Sequence, residues 1–379
     1  MSDGSPPPTA MRDIRAAARA AWPDGFVDLS RSEPLAIAPS ATCAARVQEE
    51  FLRAQVYSPP AGLGVLRGAI ARDTSAVAGV TIDEERVTAT CGATGGLALV
   101  LAVLGRGTEV LVPSPYYQAY PKQVALFGGD CRFIDTSADG GVLTADAVRR
   151  ALKPTTGALL LCNPSNPAGV VLSRAQLAEI VAVLPPSVAI IADEVYRDYL
   201  YEGTFTSVLE VAAEEKSGRE VVVLTSASKT AGMPGWRVGG AVSSAELARK
   251  LAKAAAVLAG PPSTPAQIAF AAWLDDPPKA DRMAPYRTRL RDASAALASA
   301  GVKMWTPQAG YYVWAAPLRD GIGSPANVLA LARETGVLVG PGQLFGDERG
   351  VRISLSVPRR DLTEGLQKLT SVLAKEVAR

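Results

Sequence analysis

Lys229 is the residue at which the sequence most clearly indicates covalent chemistry. It follows the apolar run 221–224 and lies in a stretch rich in small residues, 225–237. A β-branched run of this kind predicts a buried strand, and open α/β sheets bind their ligands beyond the carboxyl ends of the strands. Partial burial would lower the pKa of the Lys229 amine and make it nucleophilic. The alternative is an ordinary surface lysine in a turn.

A turn of small residues precedes this stretch by more than a hundred positions. Gly92, Ala93 and Thr94 follow the predicted strand 87–90 and open a predicted helix. Free N–H groups at a helix N-terminus bind phosphate well, and the Thr94 hydroxyl adds a further donor. A tight turn that binds no ligand requires the same residue types, so this motif alone leaves both interpretations open.

Three loops at later strand ends carry groups that suit a flat, charged ring. Tyr117 offers an aromatic face for stacking, and Asn166 offers an amide held between two prolines. Asp193 ends a hydrophobic strand, where a carboxylate requires a cationic partner. The alternatives are a tyrosine packed at the sheet edge, a plain Asn-Pro turn and a helix N-cap.

The order of these groups along the chain suits one ligand, a phosphorylated aromatic aldehyde. The turn at Gly92 would take the phosphate, Tyr117 would cover the ring and Asp193 would pair with a ring nitrogen. Lys229 would condense with the aldehyde, which is how enzymes bind pyridoxal 5′-phosphate (PLP). Farther along, Arg352 lies in the predicted strand 351–356 and is expected to bind a carboxylate, with a structural salt bridge as the alternative.

The composition excludes several other classes of function. The 379 residues carry a net charge of +2, and no basic block indicates binding to nucleic acid or anionic membranes. No apolar run reaches the roughly 18 residues of a membrane span. The four cysteines are dispersed and not at metal-ligand spacing, which predicts no metal site and a reduced, cytoplasmic location. The absence of histidine excludes Ser-His-Asp and Cys-His catalysis.

Alternating strands and helices predict an α/β fold with a mostly parallel seven-stranded sheet flanked by helices. The predicted strands are 87–90, 109–112, 131–134, 157–162, 188–192, 221–225 and 238–242. The predicted helices between and after most of them are 94–104, 116–127, 144–152, 174–183, 205–216 and 245–258. After a Pro-rich break at 260–265, the pattern changes to long helices within 265–299, strands at 302–306, 311–314, 337–339 and 351–356, and a closing helix at 361–377. This tail predicts a separate, smaller α+β domain.

From about residue 26 to its end, the chain resembles the aspartate aminotransferase-like superfamily, the class I/II aminotransferases of fold type I. The resemblance rests on segments 163–169, 192–196 and 226–239. It implies that Lys229 forms the Schiff base with PLP and that Asp193 partners the ring nitrogen. It also implies that Tyr196 and Asn166 bind the ring hydroxyl and that Tyr117 stacks on the ring, with Tyr116 as a competitor. The remaining implied roles are phosphate binding by Gly92, Ala93, Thr94, Ser226, Arg237 and the neighbouring subunit's Tyr57, and substrate binding by Arg352, Asn166 and Ser32.

The resemblance also implies a homodimer with shared active sites and a small domain built from both chain ends. The expected divisions are a disordered arm (1–10), an N-terminal segment joining the small domain (11–45), a large PLP-binding domain (46–265) and a small C-terminal domain (266–379).

The expected activity is transfer of an amino group from an L-amino acid to a 2-oxo acid, with Lys229 as the base. Relatives usually have glycine at the position of Ser32 and often a bulky aromatic at that of Ala231, so both residues are expected to alter the substrate cavity. Arg31 is a candidate second arginine for an acidic substrate, with an exposed structural arginine as the favoured alternative. These departures keep open β/γ-elimination, replacement or cyclisation on an amino acid. A non-catalytic regulatory module is a further alternative.

Overall fold

The computed structural model describes residues 10–23, 25–51, 56–215, 218–277 and 280–376, so most of the predicted arm lies outside it. The strands are β1 (Val27–Asp28), β2 (Val87–Thr90), β3 (Glu109–Ser114), β4 (Asp130–Asp135), β5 (Thr156–Cys162), β6 (Ala189–Asp193), β7 (Val221–Ser226), β8 (Gly239–Val242), β9 (Tyr312–Ala315), β10 (Val337–Leu338), β11 (Gly340–Pro341) and β12 (Val351–Ser354). The helices are α1 (Met11–Ala21), α2 (Ala41–Phe51), α3 (Gly64–Ala78), α4 (Gly92–Leu104), α5 (Tyr120–Leu126), α6 (Ala145–Ala151), α7 (Arg174–Val183), α8 (Val208–Glu215), α9 (Ala227–Thr230), α10 (Ala245–Leu258), α11 (Thr264–Asp275), α12 (Ala284–Ser299), α13 (Pro325–Thr335) and α14 (Arg359–Leu373).

The main sheet has seven strands in the order β2-β8-β7-β6-β5-β3-β4. Strand β8 runs antiparallel to both of its neighbours, β2 and β7. The other neighbouring pairs are parallel. The predicted α/β fold, with a mostly parallel seven-stranded sheet flanked by helices, is therefore confirmed.

Hydrophobic cores lie on both faces of this sheet, which explains why its central strands are almost continuously apolar. Leu159, Ile190 and Val223 pack into one core together with residues of α3, α7 and α11. The residues next to these three along their strands pack into the core on the opposite face, together with side chains of α4 and α10. Successive side chains of a strand point to opposite faces. Burial on both sides fixes the register and therefore the positions of the loops at the carboxyl ends of the strands.

A second region contains elements from both ends of the chain. Strands β11, β12 and β9 form an antiparallel sheet, and β1 pairs in parallel with β10. Its core joins Ile14 and Leu29 to Val337 and Leu366. Helix α2 lies elsewhere, because Cys43 packs in the core of the main sheet. The expected domain boundaries remain predictions.

Three predicted elements differ from those observed. The predicted strand 302–306 is reduced to one isolated bridge between Trp305 and Trp314, because Pro307 has no N–H with which to continue a ladder. The predicted helix 116–127 begins only at Tyr120. The helical stretch 265–299 divides into α11 and α12 around a Pro-containing segment. Within the described residues, no helix is both long and apolar enough to cross a membrane.

Candidate active site

A cavity of about 180 Å³ lies beyond the carboxyl ends of β5, β6 and β7. Parallel strands point their carboxyl ends to one edge, which brings together loops that are distant in sequence. The predicted site residues lining the cavity are Ser32, Ala93, Thr94, Tyr117, Asn166, Asp193, Tyr196, Ser226, Lys229 and Arg237.

Lys229 lies on the single-turn helix α9, which begins directly after β7. The Ser226 side chain caps this turn by accepting a hydrogen bond from the Ser228 N–H at 3.2 Å. The Lys229 Nζ donates to the Ser32 carbonyl at 2.6 Å and lies 5.7 Å from the ring centroids of both Tyr196 and Tyr311. Burial lowers the pKa of the Lys229 amine, the Tyr312 hydroxyl opposes this change and the Arg352 charge adds to it. The result is an amine that loses its proton more readily than a surface lysine.

Asp193 is the last residue of β6 and is buried at the floor of the cavity. Its Oδ2 accepts a hydrogen bond from the Tyr120 hydroxyl at 2.7 Å, and its Oδ1 accepts one from the Val195 N–H at 3.3 Å. Burial raises the pKa of the Asp193 carboxyl, whereas the Tyr120 hydrogen bond lowers it. Among the described residues, no Lys or Arg nitrogen lies within 4.0 Å of this carboxylate, so the site suits a cationic ligand group.

A cradle of small and donor groups lies at the N-terminus of α4. Gly92 has φ +72°, and a Cβ at this position would lie 3.3 Å from Arg237 Nη2 and 3.4 Å from Ser226 Oγ. Arg237 itself adopts φ +50°, a left-handed conformation that is uncommon for a residue with a side chain. Its Nη1 donates to Ser228 Oγ at 3.3 Å and to the Pro234 carbonyl at 2.9 Å. The helix terminus, guanidinium and hydroxyl together suit a phosphate.

Arg352 projects from β12 towards the same cavity and is completely buried. Its Nη1 donates to Asn166 Oδ1 at 3.1 Å, and its Nη2 donates to Ser32 Oγ at 3.0 Å and to the Ser30 carbonyl at 3.1 Å. Asn166 Nδ2 in turn donates to the Tyr196 hydroxyl at 3.3 Å. These neutral partners hold the guanidinium in place without neutralising its charge, which suits recognition of an anion.

Comparison with known proteins identifies the family. Residues 25–369 match the family model described as aminotransferase class I and II. The chain belongs to this family. This aminotransferase is 30% identical to the aspartate/prephenate aminotransferase of Thermus thermophilus over 84% of this chain and 83% of that protein. It is 29% identical to the valine–pyruvate aminotransferase of Mycobacterium tuberculosis, with 98% and 97% of the two chains covered.

A solved structure gives the same assignment. The aspartate aminotransferase from Thermus thermophilus, solved with maleate, superposes with a TM-score of 0.87 at 28% identity and covers 97% of each chain. Enzymes of this family use PLP and transfer amino groups. The expected activity is therefore confirmed at the level of the family, and the alternatives of elimination, replacement, cyclisation or regulation are not favoured.

Six of the residues considered from the sequence do not line the cavity of this aminotransferase. Two of them, Gly92 and Arg352, lie against residues that do line it. The other four are Tyr57, Tyr116, Arg31 and Ala231. Tyr57 is fully exposed and lines a different groove. Tyr116 stacks on Phe133, with ring centroids 4.8 Å apart, and faces another groove. Arg31 is exposed and does not line the cavity. Ala231 does not line the cavity, because its side chain is completely buried in the core of the main sheet; its expected effect on the cavity stays a prediction.

Several residues that lie in or beside the cavity of the aminotransferase were not identified from the sequence. Tyr120 lies three positions after Tyr117, and in the predicted helix 116–127 this spacing would place both side chains on one face, which is the only sequence signal for Tyr120. Tyr311 and Tyr312 both donate to the Ser32 carbonyl, at 2.9 Å and 3.3 Å. Their contacts span about 280 residues of sequence, so no local pattern predicts them.

Proposed function

We propose that the protein is a PLP-dependent aminotransferase that moves an amino group from an L-amino acid to a 2-oxo acid. The observation that carries this proposal is the placement of Lys229 and Asp193 in one cavity. A half-buried amine and a buried carboxylate without an ion-pair partner match the aldehyde and the ring nitrogen of PLP.

The neighbouring residues support the same cofactor. The cradle formed by Gly92, Ser226 and Arg237 would hold the phosphate, with Ala93 and Thr94 beside it. Tyr117 would cover the ring, and Asn166 and Tyr196 would bind its hydroxyl. The aldehyde, ring nitrogen, ring hydroxyl and phosphate of the cofactor would each have a partner residue in this site.

Bound PLP supplies an electron sink for the pair of electrons released when the Cα–H bond of the substrate breaks. Lys229 would bind the cofactor covalently and, once released by the substrate, act as the base that takes the Cα proton and returns it. Its lowered pKa raises the fraction of free amine near neutral pH. Asp193 would keep the ring nitrogen protonated, and Arg352 would orient the substrate through its carboxylate.

A homodimer with shared sites also forms part of the proposal. Val56, Tyr57 and Val65 are exposed apolar side chains on one groove, and Val257 and Leu258 are exposed on α10. Apolar surface of this kind favours association. In the dimer, Tyr57 would reach the phosphate of the neighbouring subunit. A cytoplasmic location stays a prediction.

The test is a half-reaction with single L-amino acids. The PLP-loaded protein should convert its absorbance to that of the aminated cofactor while one equivalent of 2-oxo acid accumulates, and a different 2-oxo acid should restore the original spectrum. Two-stage kinetics of this type are expected of covalent catalysis. Release of ammonia, or absence of any spectral change with a broad panel of amino acids, would contradict the proposal.

A further inference from the structure

Arg352 presents an anion-binding position that the protein itself does not fill with an anion. The guanidinium carbon lies 4.1 Å and 4.5 Å from the ring centroids of Tyr312 and Phe345. No acidic side chain pairs with it among the described residues, and its buried Nε has no hydrogen-bond partner there. A fully buried cation with only neutral partners is costly unless an anion joins it.

Ser32 supplies the hydroxyl that meets this guanidinium at the cavity wall. Its Oγ accepts a hydrogen bond from Arg352 Nη2 at 3.0 Å, and Ser32 also lines the cavity. A serine hydroxyl can accept and donate at once. Within the described residues, no protein acceptor takes the Ser32 hydroxyl hydrogen, so it remains available to a ligand.

The backbone of Ser32 is fixed at the opposite side of the residue. Its carbonyl accepts from Lys229 Nζ at 2.6 Å, from the Tyr311 hydroxyl at 2.9 Å and from the Tyr312 hydroxyl at 3.3 Å. With the main chain held by these donors, rotation about χ1 is the principal freedom left to the hydroxyl. Ser32 therefore spans the interval between Lys229 and Arg352, which are proposed to meet the two polar ends of an α-amino acid.

We infer that Ser32 is a specificity-determining residue that binds the substrate carboxylate together with Arg352. In the free site the Ser32 hydroxyl oxygen accepts the hydrogen bond from Arg352 Nη2 that a substrate carboxylate oxygen would otherwise accept. In the occupied site the carboxylate accepts from the guanidinium, and the Ser32 hydroxyl turns to donate its hydrogen to the same carboxylate. This inference rests on the proposed function.

The first test compares Ser32→Ala with the wild-type holoenzyme. The variant should raise the KM for both the amino acid and the 2-oxo acid by about tenfold, the effect of losing one hydrogen bond to a charged group. Its kcat should stay within about twofold, because the bond is present in both the bound ground state and the transition state. Ser32→Thr retains a hydroxyl and should recover most of the lost affinity.

The second test separates carboxylate recognition from a general disturbance of the cavity. Each accepted amino acid is compared with the amine that has hydrogen in place of its carboxylate, such as alanine with ethylamine. Ser32→Ala should weaken binding of the amino acid only. Titration of the 2-oxo acid into cofactor-free protein, followed by NMR, should show the same loss without any turnover.

Ser30→Ala is the matched control on the same loop. The Ser30 hydroxyl donates to Asp28 and accepts from Arg15, whereas only the Ser30 carbonyl contacts Arg352. The thermal midpoint of the Ser30→Ala variant can change, but the ratio of its affinity for the amino acid to its affinity for the amine should equal that of the wild type.

An unchanged or lowered KM in Ser32→Ala would overturn the inference, as would equal losses for the amino acid and the amine. If no amino acid converts the wild-type protein, the proposed function itself fails. If the wild type reacts and Ser32→Ala behaves identically, only the role of Ser32 fails.

Discussion

At the scale of single residues, the Tyr120 hydroxyl is the first of three groups that favour the charged form of Asp193, ahead of the Val195 N–H and the Lys229 charge. The carboxylate is buried, and burial raises its pKa towards the neutral form. A neutral carboxyl does not stabilise a protonated ring nitrogen. The Tyr120 hydroxyl, which donates to Asp193 Oδ2 at 2.7 Å, favours the anion. Tyr120 is therefore a positioning residue that acts through Asp193.

Tyr120→Phe should lower kcat by about tenfold or more, because a hydrogen bond to a charged group contributes about 1.5–3 kcal/mol. The pH dependence of kcat should also change, since the pKa of Asp193 would rise further. Steady-state kinetics across pH measure both effects. Tyr116→Phe is the control, because this ring stacks on Phe133 outside the cavity. Equal kinetics for Tyr120→Phe and Tyr116→Phe would contradict the role of Tyr120.

Residues next to strands were predictable, and residues brought in by folding were not. Lys229, Asp193 and Asn166 each lie at or just after the end of an apolar run that predicts a strand. Because parallel strands end at the same edge of a sheet, the sequence predicts that the three residues lie close together. Tyr311 and Tyr312 lie just before and at the start of β9, in a separate sheet, and contact Ser32 at the cavity. No periodic pattern in the sequence predicts this contact. Ala231 shows a second limit, because its place in a motif does not reveal that its side chain packs in the core and does not line the cavity.

At the scale of elements, the turn that opens α4 combines an unusual backbone with close contacts. Gly92→Ala would place a methyl group 3.3 Å from Arg237 Nη2 in a left-handed conformation. We expect a loss of about 1 kcal/mol in the free energy of unfolding and a PLP dissociation constant raised about tenfold by displacement of a phosphate donor. Denaturation and titration of cofactor-free protein with PLP measure these quantities.

Gly79→Ala is the matched control for this prediction. Gly79 has φ +64°, and a Cβ there would meet no atom within 4 Å. The backbone cost should be similar, but the affinity for PLP should not change. If both variants bind PLP as tightly as the wild type, the cradle at Gly92 is assigned incorrectly.

Glu194 connects the end of β6 to the start of α8. Its carboxylate accepts from the Val208 N–H at 2.9 Å and from the Ser207 hydroxyl at 2.9 Å and 3.0 Å. Burial nevertheless raises its pKa from 4.5 to about 7. The folded protein holds this proton more tightly than the unfolded chain. The stabilising contribution is therefore complete below pH 4.5 and is lost as the pH rises through about 7.

Glu194→Gln cannot ionise and should escape this loss. Relative to the wild type, its free energy of unfolding should rise between pH 4.5 and about 8 by up to about 3 kcal/mol, at 1.36 kcal/mol per pKa unit. Denaturant unfolding across this pH range measures the difference. Glu246→Gln, at an exposed position where Lys250 lowers the pKa of the carboxyl, should show no such rise. Parallel curves for Glu194→Gln and wild type would disprove the effect.

At the scale of the whole molecule, the proposed dimer explains why Tyr57 lines a groove other than the cavity of its own chain. Tyr57 is fully exposed, with Val56 and Val65 on the same groove. Only contact between subunits would bring it to a phosphate. The sequence could assign Tyr57 a role through family resemblance, but the arrangement of two chains is not encoded in any local pattern of one.

Hybrid dimers test this arrangement. Tyr57→Ala homodimers should bind PLP less tightly, and Lys229→Ala homodimers should be inactive. A hybrid of the two contains one site with Lys229 from one chain and Tyr57 from the other, so mixing and refolding the variants should restore activity and affinity at that site. Sedimentation velocity should show a dimer for the wild type and for each variant. Activity that never exceeds the sum of the parental homodimers would contradict a shared site.

Lys229 is proposed to bind the cofactor covalently, and chemical trapping tests this role. The PLP-loaded protein is reduced with borohydride, digested and mapped by mass spectrometry. The phosphopyridoxyl group should appear on Lys229, and Lys229→Ala should trap none despite remaining folded. A label on another lysine, or equal trapping in Lys229→Ala, would contradict the account.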